Sequence, residues 1–367
     1  NSMIVIPDVT GNRIYIGGDN VISRITDTGN NFRKDWVQSL SNIGDNSVLA
    51  IGNGCIYIAG NYCIVKYIED NNAALKIIWT QEIANQEDRA SIKALAINNN
   101  HIYVGGSARA DTNLGNFVWK GTPSKKTGKK NILPVRKSFV IKITDDNNIV
   151  NPKPKINWGQ WIGGKEDTDL FALAVNNNHI YVGGGTSSDI EWEKFTFHGY
   201  YNTARNGYVI KISEINNEPQ IEWGQWIGGA RVDVVLALAV NNNHIYVGGK
   251  TFSSEGWDKI VPNSFWANKF GTYPEGFVIE IADENNFPIF IRGIWLLGTE
   301  HFRNDLSDYD YDDFIRGIAI RNNEVNNIYV CGDSFINYIN MQHLRGYVTK
   351  LNLSKENSNA NLFGANM

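Results

Sequence analysis

Ala239-Val-Asn-Asn-Asn-His-Ile-Tyr-Val-Gly-Gly249 decides the fold, because near-copies of it recur along the chain. Ala174 to Gly184 and Ala96 to Gly106 repeat it almost unchanged, and Ala319 to Gly332, Ala50 to Gly60 and Val5 to Gly18 repeat it loosely. Six copies identify a repeat protein, in which a unit too small to bury its own apolar faces must pack against its neighbours.

Each repeat parses into four short strands, a to d. The fourth is clearest: residues 170–175, 179–183, 207–212 and 221–227. Alternation in the b strand and in Tyr208-Val-Ile-Lys-Ile212 is the period-two signature of half-buried antiparallel strands. The Asn runs between a and b mark hairpin turns, since Asn tolerates positive φ. Trp36, Trp79, Trp158, Trp223 and Trp295 fall at matching places in the d strands, twice inside Trp-Gly-Gln-Trp-Ile-Gly-Gly. A large ring on the outer strand is expected to pack between sheets that fan apart.

Such units close radially into a propeller, which leaves only short edges unpaired. The expected fold is all-β: a six-bladed β-propeller of four-stranded antiparallel sheets, a single domain over 1–367. The blades are placed at 4–40, 48–83, 92–162, 170–227, 234–297 and 314–367. The first repeat opens with its a strand, and Phe363-Gly-Ala-Asn-Met367 is read as the sixth d strand. No strand-swapped closure is therefore expected, and closure would rest on packing between the first and last blades.

Composition bounds the function. Apolar content of 42% is that of a globular chain, and 20% charged residues with a net charge of -4 give no general attraction to nucleic acid or anionic membrane. No eighteen-residue apolar run and no signal-like N-terminus is present, so the chain reads as soluble, with its compartment unspecified. Three cysteines, Cys55, Cys63 and Cys331, are too few for a disulfide framework and read as reduced, packed thiols.

The string Trp223-Gly-Gln-Trp-Ile-Gly-Gly229, Asp233, Ala237 to Val240 and Ile245-Tyr-Val-Gly-Gly249, followed by Thr251 and Ser253, resembles the bacterial SBBP β-propeller repeat family. Repeats three to five fit it well, two and six loosely. The family's Asp is matched by Asp233 and Asp313 and offset at Asp45, Asp88 and Asp169, while Asn runs replace its Asp-Gly turn. The Gly-Gly that ends each b strand also resembles kelch repeats, a propeller family of largely protein-binding modules. Both resemblances imply a fold far more than a role.

The b-to-c connections are long in repeats three, four and five, roughly 107–137, 185–206 and 250–275, and tight in repeats one and two. Function is commonly mounted on such loops over a rigid scaffold. They are rich in aromatic residues, among them Trp119, Trp192, Phe197, Tyr200, Trp257, Trp266 and Tyr273. Two readings stand: a wall for a protein or glycan partner, since exposed Trp and Tyr give large contact area at little entropic cost, or a small core that the long loops need for themselves.

Lys125-Lys-Thr-Gly-Lys-Lys130 is a basic tip without Walker spacing and reads as a solvated loop. Asp305, Asp308, Asp310 and Asp312 alternate as a candidate Ca²⁺ site, since Ca²⁺ takes carboxylate oxygens, but the Gly and Glu of an EF-hand are missing. His101, His179 and His244 share one repeat position. Equivalent points on neighbouring blades lie on the order of 10 Å apart, too far for ~2 Å metal bonds, so these are turn residues.

No sialidase Asp-box and no Gly-x-Ser-x-Gly elbow is present. Asp88, Asp169, Asp233 and Asp313, near the a-strand entrances, are candidates to ring a channel. The leading expectation is a non-catalytic recognition or scaffolding module for a protein or glycan. The alternatives are a hydrolase or lyase at the channel mouth, and a structural component of a surface or particle assembly.

Overall fold

The computed structural model describes residues 2–6, 12–18, 21–28, 31–40, 43, 47–70, 74–84, 90–109, 112, 114, 119–121, 135–145, 153–188, 192, 196–199, 201, 203–253, 255–257, 275–296, 311–320, 327–338 and 341–352. They form an all-β, propeller-type fold of six sheets, antiparallel but for two short added strands, and among them no α-helix is present and so no helix long enough to cross a membrane. Sheet one joins β1 (Ser2–Ile6), β2 (Asn12–Gly18), β3 (Val21–Asp27) and β4 (Phe32–Ser39) in chain order, and sheet two joins β5 (Val48–Gly52), β6 (Cys55–Ala59), β7 (Cys63–Glu69) and β8 (Leu75–Glu82) likewise.

Sheets three and four each gain a fifth strand. In sheet three β9 (Ser91–Asn98), β10 (His101–Arg109), β12 (Arg136–Thr144) and β13 (Lys155–Ile162) follow the repeat, and β11 (Trp119–Lys120) pairs in parallel with β13. In sheet four β14 (Thr168–Asn176), β15 (His179–Thr186), β17 (Asn206–Ile215) and β18 (Glu218–Ile227) do the same, and β16 (Thr196–His198) lies parallel to β18. Sheet five is β19 (Asp233–Asn241), β20 (His244–Thr251), β21 (Glu275–Glu284) and β22 (Phe287–Leu296). Sheet six shows three strands among the described residues, β23 (Tyr311–Ile320), β24 (Asn327–Tyr338) and β25 (Met341–Asn352). The sixth d strand expected at 363–367 lies outside the described residues.

The chain divides into two compact halves, Asn1–Leu170 with Asn216–Pro219, and Phe171–Ile215 with Gln220–Met367. Within each, the cores lie between consecutive sheets. In the first, Tyr15 and Ile22 meet Ile56, Val65 and Tyr67, and on the other side of sheet two Tyr57, Ile64 and Trp79 meet Ile102, Val104 and Phe139. In the second, Tyr181, Val209 and Trp223 meet Val247, Phe277 and Ile279, and Tyr246 and Val278 meet Ile315 and Val330. A repeat with two apolar faces is satisfied only by neighbours, as its pattern requires.

Packing also explains the Gly-Gly of the repeat. A Cβ on Gly248 would stand 2.6 Å from Ile315 of the next sheet, and one on Gly249 would stand 2.0 Å from the Val234 carbonyl. The first glycine admits the neighbouring sheet, and the second admits the bulge that interrupts β19 between Val235 and Ala237. The Asn turns are as expected: Asn99, Asn177 and Asn242 have φ of 53°, 54° and 54°.

Candidate functional site

A cross-strand row of Tyr, cation and Trp recurs among the described residues. In sheet two Tyr57 pairs with Lys66 and Lys66 with Trp79, so one row crosses strands b, c and d. The same row runs Tyr15, Arg24, Trp36 in sheet one and Tyr103, Lys142, Trp158 in sheet three. Burying a cation requires a hydrogen-bonded counter-charge, and the following sheet supplies it. Asp145, at the end of β12, accepts Tyr57 Oη at 2.7 Å, Lys66 Nζ at 2.6 Å and Trp79 Nε1 at 3.3 Å. Glu69 accepts Tyr15 Oη at 3.0 Å, Trp36 Nε1 at 3.1 Å and Arg24 Nη1. In the second half Asp283 accepts Tyr181 Oη at 3.1 Å, Lys211 Nζ at 2.6 Å and Trp223 Nε1 at 3.2 Å. Burial, with the adjacent carboxylate, raises the Tyr57 and Tyr181 hydroxyls well above the phenol range, so they act as permanent donors.

Sheet five inverts the row. Tyr246 pairs with Glu280 and Glu280 with Arg292, so acid and cation both belong to one sheet. Glu280 accepts from Arg292 Nε and from Tyr246 Oη at 3.4 Å, and faces His244 Nδ1 at 2.8 Å. In sheets two, three and five the acid stands three residues after the row position, at Glu69, Asp145 and Asp283; three after Lys350 the sequence has Leu353. No carboxylate is encoded at the place from which sheet six would serve sheet five, and sheet five carries its own.

The aromatic residues expected to form a binding wall are mostly anchors. Trp257 is 2% exposed and packs 5.1 Å from Phe277, so it is corrected from a surface contact to a core residue. Trp119 stacks on Trp161 at 4.9 Å, and Phe197 on Trp226 at 3.9 Å; both are half-buried. Trp192 lies edge-on to Phe197 at 4.7 Å and donates Nε1 to the Ser188 carbonyl at 2.9 Å. These rings fasten the b-to-c insertions to the outer strand, since loops of this length need an apolar foothold. Tyr200, Trp266 and Tyr273 lie outside the described residues.

The channel carboxylates separate similarly. Asp233 is fully buried and accepts Ser253 Oγ at 2.8 Å, the Gly229 amide at 3.0 Å and Thr251 Oγ1. Burial without a cation pushes its carboxyl up to about 7, against three donors that pull it down. It clamps the d-to-a turn that begins at Gly228, whose φ is 151°. Asp169 is 8% exposed and accepts Arg136 Nη1 at 2.9 Å. Both are thus corrected from channel-lining groups to buried, bonded ones. Asp88 and the Asp313 side chain lie outside the described residues, as do Asp305, Asp308, Asp310 and the Asp312 side chain. Among the described residues no three His, Cys, Asp or Glu converge as metal ligands. His101 and His179 bond Thr144 at 3.2 Å and Ser213 at 3.0 Å, tying b to c at each turn as their repeat position implies. Cys55 and Cys63 are buried thiols.

Sequence reasoning missed the polar rows and the fifth strands. The signal for the rows was in the sequence: a Lys or Arg in the middle of five of the six c strands, at Arg24, Lys66, Lys142, Lys211 and Lys350, with an acid three residues later in all but the last.

No family model and no curated protein matches the chain. Among solved structures it is similar to a Lactobacillus plantarum protein at 9% identity and a TM-score of 0.50, over 93% of this chain and 82% of that one. Drosophila Plexin A in complex with Semaphorin 1b is similar at 9% identity and a TM-score of 0.39, over 96% and 84%. A hypothetical selenium-binding protein from Sulfolobus tokodaii follows at 9% identity and 0.35, over 77% and 75%. At these identities the likeness is one of fold.

Proposed function

We propose that this propeller-type chain, with repeats resembling the SBBP family, is a non-catalytic recognition or scaffolding module. It binds a protein or glycan through the b-to-c insertions of repeats three to five. The observation that supports this reading is the anchoring of those insertions. Trp119, Phe197, Trp192 and Trp257 fix their bases to the outer strands or core, as β11 and β16 show in two of the three. An insertion held at its base presents its remainder at low entropic cost, which is the physical advantage of a preorganised binding surface. Two of the four carboxylates that a catalytic channel would use, Asp233 and Asp169, are committed to a turn clamp and an ion pair.

The test replaces residues 122–134 and 258–274 by short Gly-Ser linkers, keeping Trp119 and Trp257 in place. Circular dichroism and the thermal midpoint establish that the shortened chain folds. Partner recovery in pull-downs, and binding on a glycan array, are then compared with the intact chain. Loss of partners from a folded variant supports the reading; undiminished recovery removes it.

A further inference from the structure

Sheet four carries a cleft at its a-to-b and c-to-d turns, the end opposite its b-to-c insertion. The cleft spans about 510 Å³ and is lined by His179 of β15, Lys211, Ser213 and Ile215 of β17, Glu222 of β18, and Asn286 from the turn before β22, all within the second half of the chain. Asn285 and Asn286 turn with φ of 52° and 66°. Asn286 then accepts from Lys211 Nζ at 2.8 Å and donates to Glu222 Oε2. Lys211 also meets Asp283 at 2.6 Å with both side chains 6% exposed, so its charge is answered there. His179 Nδ1 lies 3.0 Å from Ser213 Oγ. Among the described residues Glu222 and His179 each make one hydrogen bond, which leaves a carboxylate oxygen and Nε2 for a ligand.

The same place is answered differently in the other sheets. The residue before the row Trp is Asp35, Ile78 and Asn157 in sheets one to three. Asp35 takes Arg24 at 2.9 Å and Arg33 at 3.0 Å. Asn157 is linked to His101 through Thr144 Oγ1, at 2.7 Å and 3.2 Å. In sheet five His244 has the Glu280 carboxylate. In sheet four the carboxylate meets a neutral amide and the histidine a hydroxyl. A half-buried carboxylate so placed favours an incoming cation, and Glu214 lines the cleft with the same sign. Burial and the nearby Lys211 hold His179 below the ordinary imidazole range, against the pull of Asp283 and Glu222. A neutral ring that donates Nδ1–H to Ser213 accepts at Nε2. Apolar surface adjoins: Ile215, 46% exposed, lines the cleft, and Phe287, 49% exposed, follows Asn286.

We propose that this cleft receives an arginine side chain from an extended segment of a partner protein, the guanidinium lying between Glu222 and His179 and its apolar neighbours against Ile215 and Phe287. Arginine fits better than lysine because its planar fork offers donors to two acceptors on different walls at once. The two amides of the Asn turns hold the acceptors in place before the ligand arrives, which lowers the entropic cost of binding. The site does not depend on the recognition reading, because it uses none of the insertion residues.

The test titrates the intact chain at neutral pH with acetyl-Leu-Arg-Leu-amide, and separately with the same peptide carrying citrulline, the neutral isostere of arginine. Long-range proton–nitrogen spectra of the histidine rings are read at each step, with the His179 signal assigned by its absence in His179→Gln. The arginine peptide is expected to shift the His179 ring saturably and to bind about tenfold more tightly than the citrulline peptide. Glu222→Gln, verified as folded by circular dichroism, is expected to bring the arginine peptide down to the citrulline level. Shortening 122–134 and 258–274 is expected to leave the shift in place, which separates this site from the insertion surface. Equal affinities of the two peptides for the unmodified chain would overturn the proposal, and that comparison needs no variant. So would an arginine peptide that leaves the His179 signal unmoved, or one whose effect is lost with the insertions.

Discussion

Lys66 and Asp145 stand 79 residues apart in sequence and in consecutive sheets, yet Nζ and Oδ2 meet at 2.6 Å with side chains only 2% and 1% exposed. A pair so buried contributes through what its loss would leave behind. Asp145→Ala leaves an uncompensated buried ammonium, a cost of about 3–5 kcal/mol. Lys66→Met leaves Asp145 still receiving Tyr57 and Trp79, so its cost is smaller, about 1–3 kcal/mol. Urea midpoints are expected to fall further for Asp145→Ala than for Lys66→Met; the reverse order would show that the lysine is not the charge in need of a partner.

The inverted row of sheet five responds to a different change. Glu280→Gln removes the carboxylate that faces Arg292, Tyr246 and His244, and is expected to cost about 2–4 kcal/mol through the loss of charge complementarity at this buried site. Glu280→Gln with Arg292→Trp removes both charges and is expected to recover part of that loss. A double-mutant cycle in thermal melts reads the coupling directly.

Asp233 gives stability a pH dependence of unusual sign. Its carboxyl titrates near about 7 when folded against 3.8 as a free side chain, so between these values the folded chain holds a proton that the unfolded chain has lost. Stability therefore falls as pH rises through that window, by up to ~1.4 kcal/mol per pH unit from this group. Asp233→Asn, which carries no charge at any pH, is expected to lose that slope and to exceed the parent in thermal midpoint at pH 8. Parallel pH profiles for the two proteins would refute the assignment.

Gly224 lies beneath the Phe197 ring, and a Cβ there would stand 2.7 Å from it. Gly224→Val is expected to lift β16 off β18 at a cost of about 1–3 kcal/mol. The readout is a red-shifted tryptophan emission as Trp226 loses its stacked cover. Sheets one and two make the same point in their native sequence. Val37 and Thr80 occupy the equivalent place, Val37 is 52% exposed, and the b-to-c turns of those repeats are too short to reach it.

The strands were legible because their period and turn chemistry are local: His179 opens β15, and Ile227 closes β18, where the repeat placed them. The polar rows were not, because nothing near Lys66 in sequence announces Asp145; a central lysine in an apolar strand reads as a solvent-facing residue until its partner is known. The fifth strands were hidden for another reason. β11 and β16 are two and three residues long, and parallel pairing of so short a segment is set by the ring that stacks beside it, Trp119 or Phe197, and not by strand propensity. The same rings misled the reading of the binding wall, since a composition rich in Trp looks alike whether the rings face a partner or a neighbouring strand.

In the rows of sheets one, two and four the acid comes from the sheet that follows, which gives this part of the assembly a direction in time. On the ribosome, the nascent Lys66 must wait for another 79 residues before Asp145 exists. At translation speeds of about 5–20 residues per second, that is a delay of several seconds. Through this interval the second blade is apolar enough to collapse but carries an unanswered charge at its centre. Its interior is thus finished only when its successor has been synthesised, so that folding there is paced by elongation one repeat behind.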